Sequence, residues 1–134
     1  MVKLNICKTA VCAAIVIGTQ VLVLQPASAA ELPFNGTWTS VDTDGSNQVL
    51  TVRGQGAGSR AVALFDDAAT VCGGVPARVA GSAVIDGPLM FLHAPVSCRP
   101  GGNPFHGPVE VAFLYDEATD TLSDPSGVVW HRSD

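Results

Sequence analysis

The side chains able to do chemistry fall in three short stretches of the sequence. The run Asp42-Thr43-Asp44-Gly45-Ser46-Asn47 puts two carboxylates and several other oxygens on a tight turn, the kind of donor set that a hard cation such as calcium takes. It lacks the third acidic position and the distal glutamate of an EF-hand loop, so a polar hairpin turn is the expected reading. Asp66-Asp67 is a carboxylate pair, which supplies an acid and a base when the surroundings separate the two pKa values. Adjacent strand residues point to opposite faces, so a solvated strand end is expected instead. The run Arg99-Pro100-Gly101-Gly102-Asn103-Pro104-Phe105-His106-Gly107-Pro108 sets an aromatic and an imidazole among residues that resist regular ladders. It reads as a semi-rigid loop in which Phe105 either anchors a partner or folds back as a lid.

Other chemistries lack their residues. His93, His106 and His131 would bind zinc only if the fold gathered them, and His93 reads as a strand-face residue and His131 as a surface residue. No metal is therefore expected. No serine stands in a nucleophile-elbow pattern and no glycine run precedes a helix, so neither catalytic residues nor a cofactor is expected. From Glu31 onward there are 5 Arg, no Lys and 12 acids, a formal charge of −7. That balance argues against nucleic acid or an anionic membrane as partner, either of which calls for a basic patch.

Residues 1–30 read as a cleaved secretion signal. Lys3 and Lys8 open it, Ala10 to Leu24 is an apolar run, and Ala27-Ser28-Ala29-Ala30 supplies small residues for a signal peptidase. The apolar run is about 15 residues, short of the roughly 20 that a spanning helix needs. The form is compatible with a bacterial signal, and a secreted, extracellular protein with no stable membrane association after cleavage is expected. Residues 31–134 then form a single domain of about 104 residues. Cys7 and Cys12 leave with the signal, while Cys72 and Cys98 remain in an oxidising compartment. Free thiols or a metal pair are the alternatives. The two cysteines lack the short paired spacing of a zinc site, which favours a disulfide.

Gly, Pro, Asn or Asp interrupts short apolar or alternating runs every eight to twelve residues, the rhythm of an all-β domain. Strands are predicted near Thr37–Val41, Gln48–Arg53, Arg60–Phe65, Ala77–Ile85, Leu89–Val96, Val109–Tyr115, Thr121–Ser123 and Val128–Arg132. Asp44-Gly45 and Asp86-Gly87 are hairpin signals. An antiparallel meander of about eight such strands must close or stack to hide its edges, so a closed barrel is preferred and a two-sheet sandwich comes second. A hairpin with its tip at Asp86-Gly87 brings Cys72 and Cys98 near its open end. In such a meander the first, third, fifth and seventh connections share one end. That end would gather Asp42, Asp44, Asp66, Asp67, Asp124, Phe105 and His106, and long loops on a rigid frame are where binding usually lives.

Gly36-Thr37-Trp38 near the start of the domain and Arg132 near its end resemble the calycin group, which includes lipocalins, avidins and small bacterial metalloprotease inhibitors. There a Gly-x-Trp opens the first strand, and in lipocalins a basic residue of the last strand packs over the Trp. The resemblance implies that Gly36, Trp38 and Arg132 are structural and close the barrel. Three functions follow. The first is a secreted non-catalytic binding module that presents its acidic, loop-rich end to a protein partner or small ligand. The second is a barrel-type protease inhibitor using Glu31-Leu32-Pro33-Phe34 or the 99–108 loop, whose prolines limit the entropy lost on docking. The least favoured is a hydrolase using Asp66 or Asp67 with a histidine.

Overall fold

The computed structural model describes residues 33–55 and 58–133. The expected signal segment, Glu31-Leu32 and part of the 54–59 connection lie outside the described residues. Eight strands follow one another: β1 (Gly36–Val41), β2 (Asn47–Arg53), β3 (Ser59–Ala69), β4 (Val75–Asp86), β5 (Leu89–Cys98), β6 (Phe105–Asp116), β7 (Thr121–Ser123) and β8 (Val129–Ser133). Each pairs antiparallel with the next, and β8 returns to β1, closing a barrel. The all-β meander and its closure therefore stand as expected. Closure leaves no free pair of edge strands to template aggregation.

Alternation explains which side chains enter the barrel. Along β5, Met90, Leu92, Ala94, Val96 and Cys98 are buried while Phe91, His93 and Pro95 face out. Trp38, Leu50, Val52, Phe113, Leu122 and Trp130 fill the middle from the surrounding strands. Phe113 meets Trp130 edge-on with ring centroids 5.7 Å apart, a favoured aromatic geometry.

Cys72 and Cys98 form the expected disulfide and span 26 positions of sequence. It ties the 3-10 turn Thr70–Cys72 to the end of β5.

Two expected loops are shorter in the structure. β3 runs on to Ala69 through a register shift between Asp66 and Ala69, so the connection to β4 shrinks to 70–74. β6 begins at Phe105, although the 99–108 stretch was expected to be a loop. The reason is the length of β5, whose Pro95, Val96, Ser97 and Cys98 pair with Pro108, Gly107, His106 and Phe105. The proline without an N–H does leave its mark elsewhere. The β4–β5 ladder is interrupted between the Val79–Val96 and Ser82–His93 pairs, beside Pro95.

One end of the barrel is sealed by the segment that leads into β1. Phe34 is fully buried, its ring 5.8 Å from that of Tyr115, and its carbonyl accepts the Trp38 indole N–H at 2.9 Å. Trp38 and Arg132 are register partners on β1 and β8, and the guanidinium lies 4.1 Å from the indole centroid. Arg132 also donates from Nε to Asp120 Oδ2 at 2.7 Å and from Nη2 to Asp120 Oδ1 at 2.8 Å. Its Nη1 and Nη2 reach the carbonyls of Asn35 and Pro33 at 2.5 and 2.8 Å. Hydrogen bonding to Arg132 holds the Asp120 carboxyl below its usual range. Burial, aided by the Asp120 contact, raises the Tyr115 phenol above its ordinary value. The expected Trp38–Arg132 contact is thus present and anchors a larger polar cap.

Gly36 is where this cap dictates a residue type. Its φ is +135°, and a Cβ there would lie 2.6 Å from Arg132 Nη1. Only glycine both adopts that backbone and admits the guanidinium.

Candidate functional site

The opposite end carries the four connections 42–46, 70–74, 99–104 and 124–128, as the meander requires. Their residues divide this rim into sectors of different chemistry.

The mouth is acidic. Gln48 and Asp66 are register partners on β2 and β3, on the inward face beside Leu50 and Leu64. Gln48 Nε2 donates to Asp42 Oδ2 at 3.0 Å and to Asp66 Oδ2 at 3.1 Å, and its Oε1 accepts from the Ser40 hydroxyl at 3.0 Å. Across the opening, Asp124 Oδ2 accepts the Trp130 indole N–H at 3.3 Å, while its Oδ1 accepts the backbone N–H of Ser126 at 2.9 Å. A recess of about 270 Å³ opens here, with polar lining from Asp42, Gln48 and Asp124 and apolar lining from Leu64, Phe113 and Trp130. Among the described residues the arginine–carboxylate ion pair is Arg132–Asp120, and no arginine pairs with Asp42, Asp66 or Asp124.

Asp66 corrects an expectation. It is 8% exposed rather than a solvated strand end. The alternation of β3 carries it inward after Val62 and Leu64, and the Gln48 amide together with the Ala68 N–H at 2.9 Å supplies the hydrogen bonds that make burial tolerable. Asp67 turns to the other face and is half-buried. Its two oxygens accept the backbone and side-chain N–H groups of Asn47, both at 2.8 Å.

The turn after β1 is a polar hairpin. Asp42 N–H donates to the Ser46 carbonyl at 2.8 Å, and Asp44 Oδ1 accepts from Ser46 N–H at 3.0 Å. The Thr70 hydroxyl donates to Asp44 Oδ2, joining this turn to the disulfide-tied one. That hydroxyl, with the Ser46 backbone N–H, holds the Asp44 carboxyl down to about 2.

Phe105 and His106 belong to another sector. Phe105 is 38% exposed, with its ring turned back against Gly107. His106 lies on the outer face, paired with Ser97. The three histidines sit on β5, β6 and β8, and His93 bonds Glu110 at 2.9 Å. Among the described residues no group of three His, Cys, Asp or Glu is arranged to hold a metal ion. Neither Asp66 nor Asp67 has a histidine among its hydrogen-bond partners. Among the described residues no helix is long and apolar enough to cross a membrane.

Sequence reasoning thus brought Asp42, Asp66 and Asp124 to one rim and missed Gln48, Ser40 and Trp130 as their partners. The signal available was parity: Gln48 stands two places before Leu50 and four before Val52, on the inward face of β2. Comparison of the chain with protein families, curated proteins and solved structures finds no match.

Proposed function

We propose that the protein is an exported, non-catalytic binding module whose acidic mouth receives a positively charged side chain of a partner protein. Export is supported by the signal-like residues 1–30 and by the disulfide, a bond that persists in oxidising compartments. The closed eight-strand barrel and the Arg132–Trp38 contact agree with a calycin-like frame, in which these residues keep a structural role.

One observation carries the reading. Asp42, Glu110 and Asp124 line the opening and Asp66 backs it through Gln48, and among the described residues no arginine pairs with any of the four. The recess of about 270 Å³ falls below the range of typical small-molecule pockets but accepts a single long side chain. A lysine or arginine would lay its methylene stem on Leu64, Phe113 and Trp130 and leave its charged head beside Asp42 and Asp124. Trp38, Phe113, Met90 and Trp130 occupy the barrel centre, which favours a partner seated on the rim over a ligand drawn deep inside. The inhibitor alternative loses support, because Phe34 is buried in the sealed end and Phe105 lies in a strand rather than a free loop.

The test is titration of the protein with a lysine-rich peptide, followed by amide NMR shifts and Trp fluorescence. Saturable shifts at Gln48, Asp124 and Trp130 that weaken with added salt and vanish in D42N/D124N would support the reading. Shifts that survive in that variant, or no response at low salt, would refute it.

A further inference from the structure

The outer wall next to this rim has the opposite character. Of the five arginines after residue 31, Arg132 is bound to Asp120 and Arg60 is buried in the barrel. Two of the remaining three, Arg78 and Arg99, line one recess of about 510 Å³ together with His106, Ser97 and Phe65. Among the described residues no carboxylate lines it, in a domain that has more than twice as many acids as arginines.

Strand register explains the gathering. Phe65 pairs with Arg78 across β3 and β4, Arg78 with Ser97 across β4 and β5, and Ser97 with His106 across β5 and β6. These four residues form one row running across the outer face, on strands spaced about 4.8 Å apart. Arg99 stands two positions beyond Ser97 along the chain, just past the end of β5, so it flanks the row on its rim side. The Arg78 guanidinium rests over the Phe65 ring, 5.2 Å from its centroid, which orients the planar donor group without using its charge on an acid. Pro76 and Pro104 border the recess and stiffen its margin.

The geometry points to this row as a binding site for a compact oxyanion, a phosphate or sulfate group, held between Arg78 and Arg99, with His106 as a further polar contact and the Ser97 hydroxyl as another once it turns from the Arg78 carbonyl to which it donates at 3.3 Å. Guanidinium forks match such oxygens in a bidentate way. The acidic remainder of the surface sets the size of the ligand. Charges beyond about 8 Å, the screening length at physiological salt, act weakly on a single phosphate at the arginines, whereas an extended polyanion would also meet the repulsion of the other faces.

The site is tested by titrating the protein with inorganic phosphate, sulfate and, separately, duplex DNA while following amide shifts. Saturable shifts at Arg78, Ser97, Arg99 and His106 with phosphate or sulfate are expected. The affinity should fall about tenfold or more in R78Q/R99Q, the order expected for losing charge-assisted contacts. R99Q alone, in the rim connection, gives the same reading at smaller amplitude should the double variant fold poorly. D42N/D124N should bind phosphate as the wild type does, which separates this site from the acidic mouth. Absence of saturation, shifts that persist in the arginine variants, or tighter binding of duplex DNA than of phosphate at physiological salt would overturn the assignment.

Discussion

Replacing Arg132 by Ala should cost about 3 kcal/mol of folding free energy, from losing a half-buried charged pair together with its backbone bonds and its ring contact. The side chain makes two hydrogen bonds to Asp120, two to the carbonyls of Pro33 and Asn35, and a cation–π contact with Trp38. Bonds to charged groups contribute roughly 1.5–3 kcal/mol each when buried, and the indole contact about 1 kcal/mol. Solvent reduces that total, since the Arg132 and Asp120 side chains are 30% and 47% exposed. For a domain of about 100 residues the loss corresponds to a Tm lower by roughly 12–24 °C, read by calorimetry or urea unfolding. Gly36 supplies the internal control. Gly36→Ala sets a Cβ 2.6 Å from Arg132 Nη1 and strains a backbone at φ +135°. In the Arg132→Ala background the clash disappears and only the backbone cost remains, so the cycle should show a coupling of about 1 kcal/mol or more. The acid limb changes too. Asp120 titrates below its usual value in the folded protein, so its contribution is complete above the unfolded pKa near 3.9 and fades as the pH falls through the folded value. That fading should be smaller in Arg132→Ala, where only the Tyr115 hydroxyl is left to favour the Asp120 carboxylate. A loss under about 1 kcal/mol in Arg132→Ala, the size of an ordinary surface change, or an equal cost of Gly36→Ala in both backgrounds, would refute the account.

Replacing both Cys72 and Cys98 with Ala opens a loop of 26 positions and should cost about 3.5 kcal/mol in the chain-entropy model, measured by urea unfolding. The chain has one tyrosine, so phenolate absorbance reports Tyr115 directly. Its midpoint should lie above 10.0, and because the neutral phenol is the favoured folded form, stability should fall as the pH rises through that midpoint. Thr70→Val removes the hydroxyl that holds Asp44 at about 2, and carboxyl NMR titration should then find Asp44 closer to the ordinary 3.8. Asp124→Ala should cost about 1–2 kcal/mol through its lost turn bonds and should alter Trp fluorescence, because the Trp130 indole N–H loses its acceptor.

The strand pattern was legible because β1, β5 and β6 alternate cleanly, and the shared rim followed from counting connections. Cys72 and Cys98 were legible from hairpin arithmetic, and Trp38 with Arg132 from a resemblance at the two ends of the domain. The acid pair was read less well. Asp66 looks like the polar end of a strand, and its burial depends on Gln48, a partner 18 positions earlier that only strand register reveals. Phe105 to Pro108 looked unfit for a ladder, since glycine and proline weigh locally while the pairing offered by β5 is a tertiary effect. Phe65, Arg78, Ser97 and His106 are scattered in sequence, and their single row exists only once three successive registers are set.

Thr37 pairs with Ser133, and Pro33 is gripped by Arg132, so the two extremities of the described chain emerge together beneath the sealed floor. A tether fused at either extremity would therefore hang from the base like a stalk. The carboxylate crown and the arginine row would be displayed outward, unobstructed by whatever holds the molecule in place.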